Sequence, residues 1–272
     1  MNKKINNITL GCDPEVFLRN KQGEFIASCG KFGGTKQSPL KLTDVGHYMQ
    51  EDNVALEFNI PPVIDKKSFN REINIALNLI QEKANNLNLN LAIESSGIFK
   101  EEELQHPAAK AFGCSSDYNA WTKRINKKPS PNTNLRTCGG HIHIGYDNPT
   151  LNTNLEIIKT MDLFLGLPSL FIDDDVERRT MYGKAGCFRN KSFGVEYRVL
   201  SNFWLKSNEL INWAYDNTLE AINFINNNTE INTYSKDIQK VINTNDKSSA
   251  VDILKYYNIH LPILKKVKNY KN

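Results

Sequence analysis

The stretch Thr137-Cys138-Gly139-Gly140-His141-Ile142-His143-Ile144-Gly145-Tyr146 sets two imidazoles one residue apart, with glycines on both sides. In a β-strand, positions i and i+2 project from the same face, roughly 6.5–7 Å apart. His141 and His143 therefore point one way and the β-branched Ile142 and Ile144 the other. Flanking glycines let backbone and ligand approach closely, and two imidazoles on one face can ligate a metal or donate to an anion. Two hydrogen-bonded core histidines are the alternative, and that arrangement needs a buried partner for each ring. A metal site that adds a glutamate a few residues after the pair is excluded, because the next glutamate is Glu156.

Working outward, the same spacing recurs in Asp13-x-Glu15 and in Glu196-x-Arg198. Their neighbours, Val16 and Phe17 on one side and Val195 and Val199 on the other, are residues that strands favour. Between these pairs lies Val54-Ala55-Leu56-Glu57-Phe58-Asn59-Ile60, which alternates so that Glu57 faces away from Leu56, Phe58 and Ile60; Pro61-Pro62 closes it. A sheet face that carries carboxylates, imidazoles and a guanidinium has to hold something charged. Metal ions with an anionic ligand are the obvious candidates.

The remaining pattern alternates strands and helices. Residues 7–18 read as a strand leading to a turn at Asn20–Gly23, with Glu24–Ser28 as its hairpin partner. Cys29 to Pro39 is a loop rich in glycine and lysine, and its Gly33-Gly34-Thr35-Lys36 lacks the order of a phosphate-cradling P-loop. Ser68 to Leu87 reads as a helix with Ser68 at its N-cap and an apolar stripe of Ile73, Ala76, Leu77, Ile80, Ala84 and Leu87. Leu91 to Glu94 reads as a strand, and residues 113–136, with Pro129 and Pro131, as loop with a short helical piece around Tyr118–Arg124. A helix after Asn152 ends near Gly166-Leu167-Pro168, and the acidic run from Asp173 through Asp174 and Asp175 reads as a solvated turn or helix start. Arg178, Arg179, Lys184 and Arg189 then fall within twelve residues along a glycine-punctuated loop, poised to reach an anion on the Glu196–Arg198 strand. Two helices, Asn208–Asn226 and Ile238–Tyr257, complete the chain. The expected fold is α+β: a curved, mainly antiparallel sheet with helices on its convex side. Residues 1–272 form a single domain, with C-terminal helices from about 206.

Composition narrows the function classes. The 34 Lys and Arg against 30 Asp and Glu leave a net charge of only +4. The run Lys265, Lys266, Lys268 and Lys271 reads as a solvated terminus, so no nucleic-acid partner is expected. Cys12, Cys29, Cys114, Cys138 and Cys187 are odd in number, with spacings of 17, 85, 24 and 49, and form neither a metal pair nor a disulfide framework. Reduced thiols in a cytoplasm follow, with Cys138 and Cys187 as packing residues rather than nucleophiles. The start, MNKKINNITLGCDPE, lacks an apolar signal core, and the longest apolar-rich stretch, Met161 to Ile172, contains Asp162 and Pro168 and is too short for a bilayer. A soluble cytoplasmic protein without a membrane partner is expected.

The order of motifs carries a resemblance. An acidic-x-Glu strand is followed by Leu56-Glu57-Phe58, then Gly139-Gly140-His141-Ile142-His143, then Tyr182-Gly183-Lys184-Ala185-Gly186-Cys187-Phe188-Arg189, then Glu196-Tyr197-Arg198. From about residue 8 to 205 this is similar to the carboxylate-amine ligases related to glutamate-cysteine ligase and glutamine synthetase, and in particular it resembles the type 2 ligases of bacteriophage genomes. The resemblance implies a glutamine synthetase-like catalytic domain working in the cytoplasm, the host's for a phage-encoded chain. There ATP phosphorylates a carboxylate and an amine displaces the acyl phosphate, with two or three Mg²⁺ or Mn²⁺ ions bound. By motif position, Glu15 and Glu57 would hold one metal, with Glu51 or Asp52 as a further carboxylate. Asp13, shorter than the glutamate usual in relatives, would hold another metal with His141 and Glu196. His143 and Arg198 would contact phosphate, and Lys184 would bind the nucleotide. Arg189, with Arg178 or Arg179, would act on the transferring phosphoryl group or the substrate carboxylate. The implied partners are small-molecule or peptide carboxylates and amines, and homo-oligomers are common among relatives. Three rivals remain: a metal-dependent hydrolase using the His-x-His pair, a phosphotransferase of guanidino-kinase type on the same fold, and a non-catalytic binding protein.

Overall fold

The computed structural model describes residues 4–110, 117–127, 134–173, 176–231 and 233–261. The lysine-rich tail, Cys114, Pro129, Pro131, Asp174 and Asp175 lie outside the described residues. In chain order the strands are β1 (Thr9–Cys12), β2 (Glu15–Arg19), β3 (Phe25–Ile26), β4 (Leu40–Lys41), β5 (Tyr48–Asp52), β6 (Ala55–Asn59), β7 (Asn90–Ala92), β8 (Ser96–Ile98), β9 (Tyr118–Asn119), β10 (Arg124–Ile125), β11 (Leu135–Thr137), β12 (Ile142–Gly145), β13 (Cys187–Lys191) and β14 (Gly194–Tyr197). The helices are α1 (Lys66–Asn85), α2 (Pro107–Lys110), α3 (Leu151–Met161), α4 (Leu167–Ser169), α5 (Val176–Met181), α6 (Asn208–Asn226), α7 (Ile238–Thr244) and α8 (Lys247–Tyr256).

The first long passage is broken where Pro14 removes a backbone donor, and the break lets it serve two sheets. Before the break, β1 pairs with β12 in a sheet ordered β1-β12-β14-β13-β9-β10; after it, β2 pairs with β6 in a sheet ordered β3-β2-β6-β5-β4, with β7 also on β2. Among the described residues every strand pairing is antiparallel, including a small β8–β11 pair. Hydrogen bonds from Asp13 N to His141 O (3.4 Å), Glu15 N to Gly139 O (2.9 Å) and Phe58 N to Pro14 O (3.1 Å) join the two sheets into one curled surface.

Register then decides which side chains meet. His143 lies opposite Gly11 on one side and Glu196 on the other, and Glu196 lies opposite Arg189. Glu15 faces Glu57, which in turn faces Gln50. The intervening residues Leu10, Cys12, Ile142, Ile144, Val195 and Tyr197 are at most 1% exposed, in an apolar core shared with α1, α3 and α6 that runs from Ile5 to Leu254. Burying each large aliphatic side chain contributes about 1.5–3 kcal/mol, so sliding a strand by one residue would forfeit several such terms at once.

Several elements differ from expectation for local reasons. Asp65, not Ser68, caps α1, its carboxylate accepting from Ser68 N at 2.8 Å, and Leu87 lies beyond the helix. The segment Tyr118–Arg124 is a strand hairpin rather than a helical piece, because the Asn119 side chain accepts from Trp121 N (3.0 Å) and Thr122 N (3.1 Å) and Lys123 takes φ 55°. The helix after Thr150 does end close to Gly166-Leu167-Pro168, but only after widening into a π-helical turn at Asp162–Gly166 and closing with the three residues of α4. The stretch Ile238–Tyr257 is two helices, divided at Asn245 (φ 53°) and recapped by Asp246. The acidic run is not solvated at Asp173, which is 5% exposed and accepts from Ser95 Oγ (3.0 Å) and Ser201 Oγ (2.7 Å).

Candidate active site

One cluster of ligating atoms forms where β1, β12 and β14 meet. Single atoms of Asp13, His143 and Glu196 all lie within 4.8 Å of one another. Asp13 Oδ1 is 3.1 Å from His143 Nε2 and 3.2 Å from His141 Nδ1, and Glu196 Oε1 is 3.6 Å from His141 Nδ1. Three cations converge on Glu196. Lys191 Nζ is 2.7 Å from its Oε2, Arg198 Nη1 bonds its Oε1, and Arg189 Nη1 stands 3.9 Å from the same oxygen. Burial and Asp13 push the Glu196 carboxyl up, but Arg198 and the two histidines outweigh them and hold it at about 2. Burial likewise opposes ionisation of Asp13, and His143 and His141 overcome it, so its carboxyl lies well below the usual range. His143 moves the other way: burial would lower it, but Asp13 and Glu196 raise it.

The second cluster has a different electrical character. Atoms of Glu15, Asp52 and Glu57 also lie within 4.8 Å of one another. Here neutral amides donate: Gly139 N to Glu15 at 2.6 Å, Gln50 Nε2 to Glu57 at 2.8 Å, and Asn53 Nδ2 to Asp52 at 2.9 Å. Burial, followed by the fields of Asp13, Glu15, Asp52 and Glu196, drives the Glu57 carboxyl well above its ordinary value. Burial and Asp52 raise Glu15 as well. Three acids in mutual repulsion are stabilised by a hard divalent cation, for which carboxylate oxygens are the preferred donors.

Strand alternation separates Glu51 from Asp52. Gln50 and Asp52 share the face of β5 that meets Glu57, so Glu51 turns away. Its carboxylate accepts from Phe32 N (2.6 Å), Gly33 N (2.8 Å) and Gly30 N (2.7 Å), tying down the glycine-rich loop. Burial would raise this carboxyl, but those amides bring it below its ordinary value. Asp52, not Glu51, enters the donor cluster.

The remaining expected residues are distributed unevenly. His143 rather than His141 completes the three-atom cluster, while His141 sits 3.0 Å from Arg198 Nη1. Arg178 is 2% exposed and donates to the carbonyls of Cys138 (3.0 Å), Val199 (3.1 Å) and Leu200 (2.8 Å), so it braces the ends of the site strands. Arg179, equally buried, donates to Ser169 Oγ at 3.0 Å. Lys184 lies half-buried beside Gly183 in the turn before β13. A cleft opens on the acidic cluster at Glu15 and Asp52 and extends along Asp117, His141, Tyr182 and Arg198, of which His141 and Arg198 contact the first cluster. Cys138 is fully buried with its thiol pushed well up by burial, and Cys187 is pushed up to about 12, as packing residues are.

Sequence reasoning missed two residues here. Lys191 belongs to a further i,i+2 pair, Arg189-x-Lys191, so the signal was the one already in use. Asp117 carried none, since it precedes a two-residue strand in a polar segment. Its Oδ1 is 2.9 Å from Arg198 Nε and 3.5 Å from Arg189 Nη2.

A family model described as phage phiEco32-like COOH.NH2 ligase-type 2 matches residues 130–271, just over half of the chain. The match includes His141, His143, Arg189, Lys191, Glu196 and Arg198 and leaves Asp13, Glu15, Asp52, Glu57 and Asp117 outside. No curated protein matches the chain.

Proposed function

The chain belongs to the phage phiEco32-like COOH.NH2 ligase-type 2 family, and from that premise we propose that it is an ATP-dependent carboxylate-amine ligase with a glutamine synthetase-like fold. The observation that carries the proposal is the side-by-side placement of an all-acidic donor cluster and a cluster ringed by Arg189, Lys191 and Arg198. Phosphoryl transfer needs charge dispersed from the phosphate oxygens, and divalent cations together with aimed guanidinium and ammonium groups do this.

In this proposal Glu15, Asp52 and Glu57 hold one Mg²⁺ or Mn²⁺, and Asp13, His143 and Glu196 hold a second. The ions, when bound, neutralise the polyphosphate and polarise the transferring group. Lys191 and Arg198 release Glu196 to meet phosphate oxygens, and Arg189 stands beside them. Phe193, 46% exposed in the turn between β13 and β14, has its ring 6.0 Å from that of His143 and offers a stacking surface for the nucleotide base. The substrate carboxylate oxygen attacks the terminal phosphorus and ADP leaves. The amine then attacks the acyl carbon, phosphate departs and a proton is lost, leaving an amide. The cleft past His141 and Arg198 is where both organic substrates enter. A hydrolase built on the histidine pair gives no use to Glu196-x-Arg198 or to Arg189-x-Lys191.

The test offers the purified protein Mg-ATP with pooled carboxylates and amines, following ADP release and new amide masses. Amide formed in step with ADP is expected. ATP turnover that survives Glu196→Ala in a folded protein sinks the site assignment, and amide formed without ATP consumption sinks the ligase proposal.

A further inference from the structure

Asp117 and Glu196 are bridged twice. Arg198 reaches Asp117 Oδ1 through Nε at 2.9 Å and Glu196 Oε1 through Nη1, while Arg189 reaches the same two oxygens through Nη2 at 3.5 Å and Nη1 at 3.9 Å. The four side chains thus close a ring of alternating charge, drawn from β13, β14 and the residue ahead of β9. Its two acids are not equivalent. Glu196 is also held by Lys191 and belongs to a donor cluster, whereas Asp117 belongs to neither cluster and borders the cleft.

We infer that Asp117 is a positioning residue for phosphoryl transfer, holding the guanidinium groups of Arg198 and Arg189 at the cleft by charge. This rests on the ligase proposal above. Without Asp117, Arg198 would be held by Glu196 and His141 alone and would shift whenever that carboxylate is drawn elsewhere; a second carboxylate 2.9 Å from its Nε attracts the guanidinium from the other side. Asp117 also places a negative charge between two cations that would otherwise repel. Its side chain is 15% exposed, so the pairing is little screened by solvent.

The hairpin that presents Asp117 does not depend on the carboxylate. The Asp117 carbonyl accepts from Asn126 N at 2.8 Å, β9 pairs with β13, and Trp121 Nε1 donates to Asp162 at 2.6 Å. Asp117→Asn therefore removes the charge while leaving the hairpin's anchors in place.

The experiment measures ADP release by the wild type, Asp117→Asn and Asp117→Glu, each alone and combined with Arg198→Lys. Urea unfolding is measured on the same set. A misaligned catalytic group costs on the order of 100-fold. The expected result is a kcat reduced about 10- to 100-fold in Asp117→Asn with KM for Mg-ATP changed less than about 3-fold, partial recovery in Asp117→Glu, and non-additivity with Arg198→Lys in both kinetics and unfolding. A wild-type kcat in Asp117→Asn overturns the inference while leaving the ligase proposal intact. So does a loss of activity matched by a loss of folded protein. A wild type that consumes no nucleotide overturns the ligase proposal itself, and the inference with it.

Discussion

At the residue scale, what the sequence disclosed was set by period. Residues at i and i+2 on a strand share a face, so His141 with His143 and Glu196 with Arg198 could be grouped without knowing any neighbour. Choosing between Glu51 and Asp52 needs the register of β5 against β6, and strand 48–52 has no alternating signature of its own to supply it. Asp52→Asn is therefore expected to weaken Mn²⁺ binding in a calorimetric titration at least tenfold, whereas Glu51→Gln loosens the Gly30–Gly33 loop and chiefly lowers the melting temperature. Asp162 lay equally beyond reach, since its partners come from three other elements. Burial pushes its carboxyl up to about 7, although Trp121 Nε1 (2.6 Å) and Tyr197 OH (2.9 Å) donate to it. Its ordinary value is 3.8, so between the two values the native state binds more protons than the unfolded chain. Stability from this group is full below about pH 4 and is lost as pH rises through about 7, at up to ~1.4 kcal/mol per pH unit. Compared with Asp162→Asn, the wild type should lose on the order of 2 kcal/mol more between pH 5 and pH 8, as read by urea unfolding at each pH. Equal losses in the two proteins would remove Asp162 as the cause.

At the element scale, long periodic segments were legible and short ones were not. The helix Asn208–Asn226 follows from its apolar stripe alone, with Ser207 capping Leu210 N at 3.3 Å. Strands β9 and β10, two residues each, exist because β13 offers them an edge and because Asn119 fixes their turn, and no window of sequence contains both facts. The hairpin β13–β14 was half seen. Glu196 and Arg198 mark its second strand in the sequence, but Gly183 and Gly186 give the segment that holds the first the look of an irregular loop. Recognising β13 adds Lys191 and Phe193 to the site side of the sheet, and each has an expected outcome. Base stacking on an aromatic ring is worth about 1–3 kcal/mol, so Phe193→Ala should weaken ATP binding on the order of tenfold while leaving inorganic tripolyphosphate binding unchanged. Lys191→Met should weaken both ligands alike, because it removes a phosphate contact rather than a base contact. Parallel titrations of the two ligands against each variant separate these roles, and a Phe193→Ala protein that loses affinity for tripolyphosphate as well would refute the stacking assignment.

At the scale of the whole molecule, the break at Asp13-Pro14 is the organising feature: it divides one passage between two sheets and so brings two donor clusters together at their junction. The α+β class, the antiparallel sheet and the carboxylate-rich face could be anticipated because each follows from local alternation. So could the curvature, but not the contacts that make it, since they join segments far apart in the chain, as Glu15 N does to Gly139 O. The cost of this construction is concentrated charge at the seam. With Glu15, Asp52 and Glu57 meeting among neutral amides, the seam carries repulsion that a divalent cation would relieve. A cation that binds only the folded state stabilises it by about 2.7 kcal/mol at a hundredfold excess over its dissociation constant. At roughly 2 °C per kcal/mol for a chain of this size, saturating Mn²⁺ or Mg²⁺ should raise the melting temperature by about 5 °C. The gain should be larger at pH 8 than at pH 6, because burial and neighbouring acids raise Glu15 and Glu57, so that binding at the lower pH must first displace protons. Asp52→Asn should melt higher than the wild type when metal is absent, since it removes a repelling charge; Glu57→Gln, which replaces a carboxyl that holds its proton more readily than usual, should gain less at pH 6 than at pH 8; and each should lose most of the metal-dependent increment. Scanning calorimetry of the three proteins, with and without metal at both pH values, checks every part. A wild type whose melting temperature does not respond to either cation would show that the seam's carboxylates are balanced from within, and the two-ion arrangement would have to be abandoned.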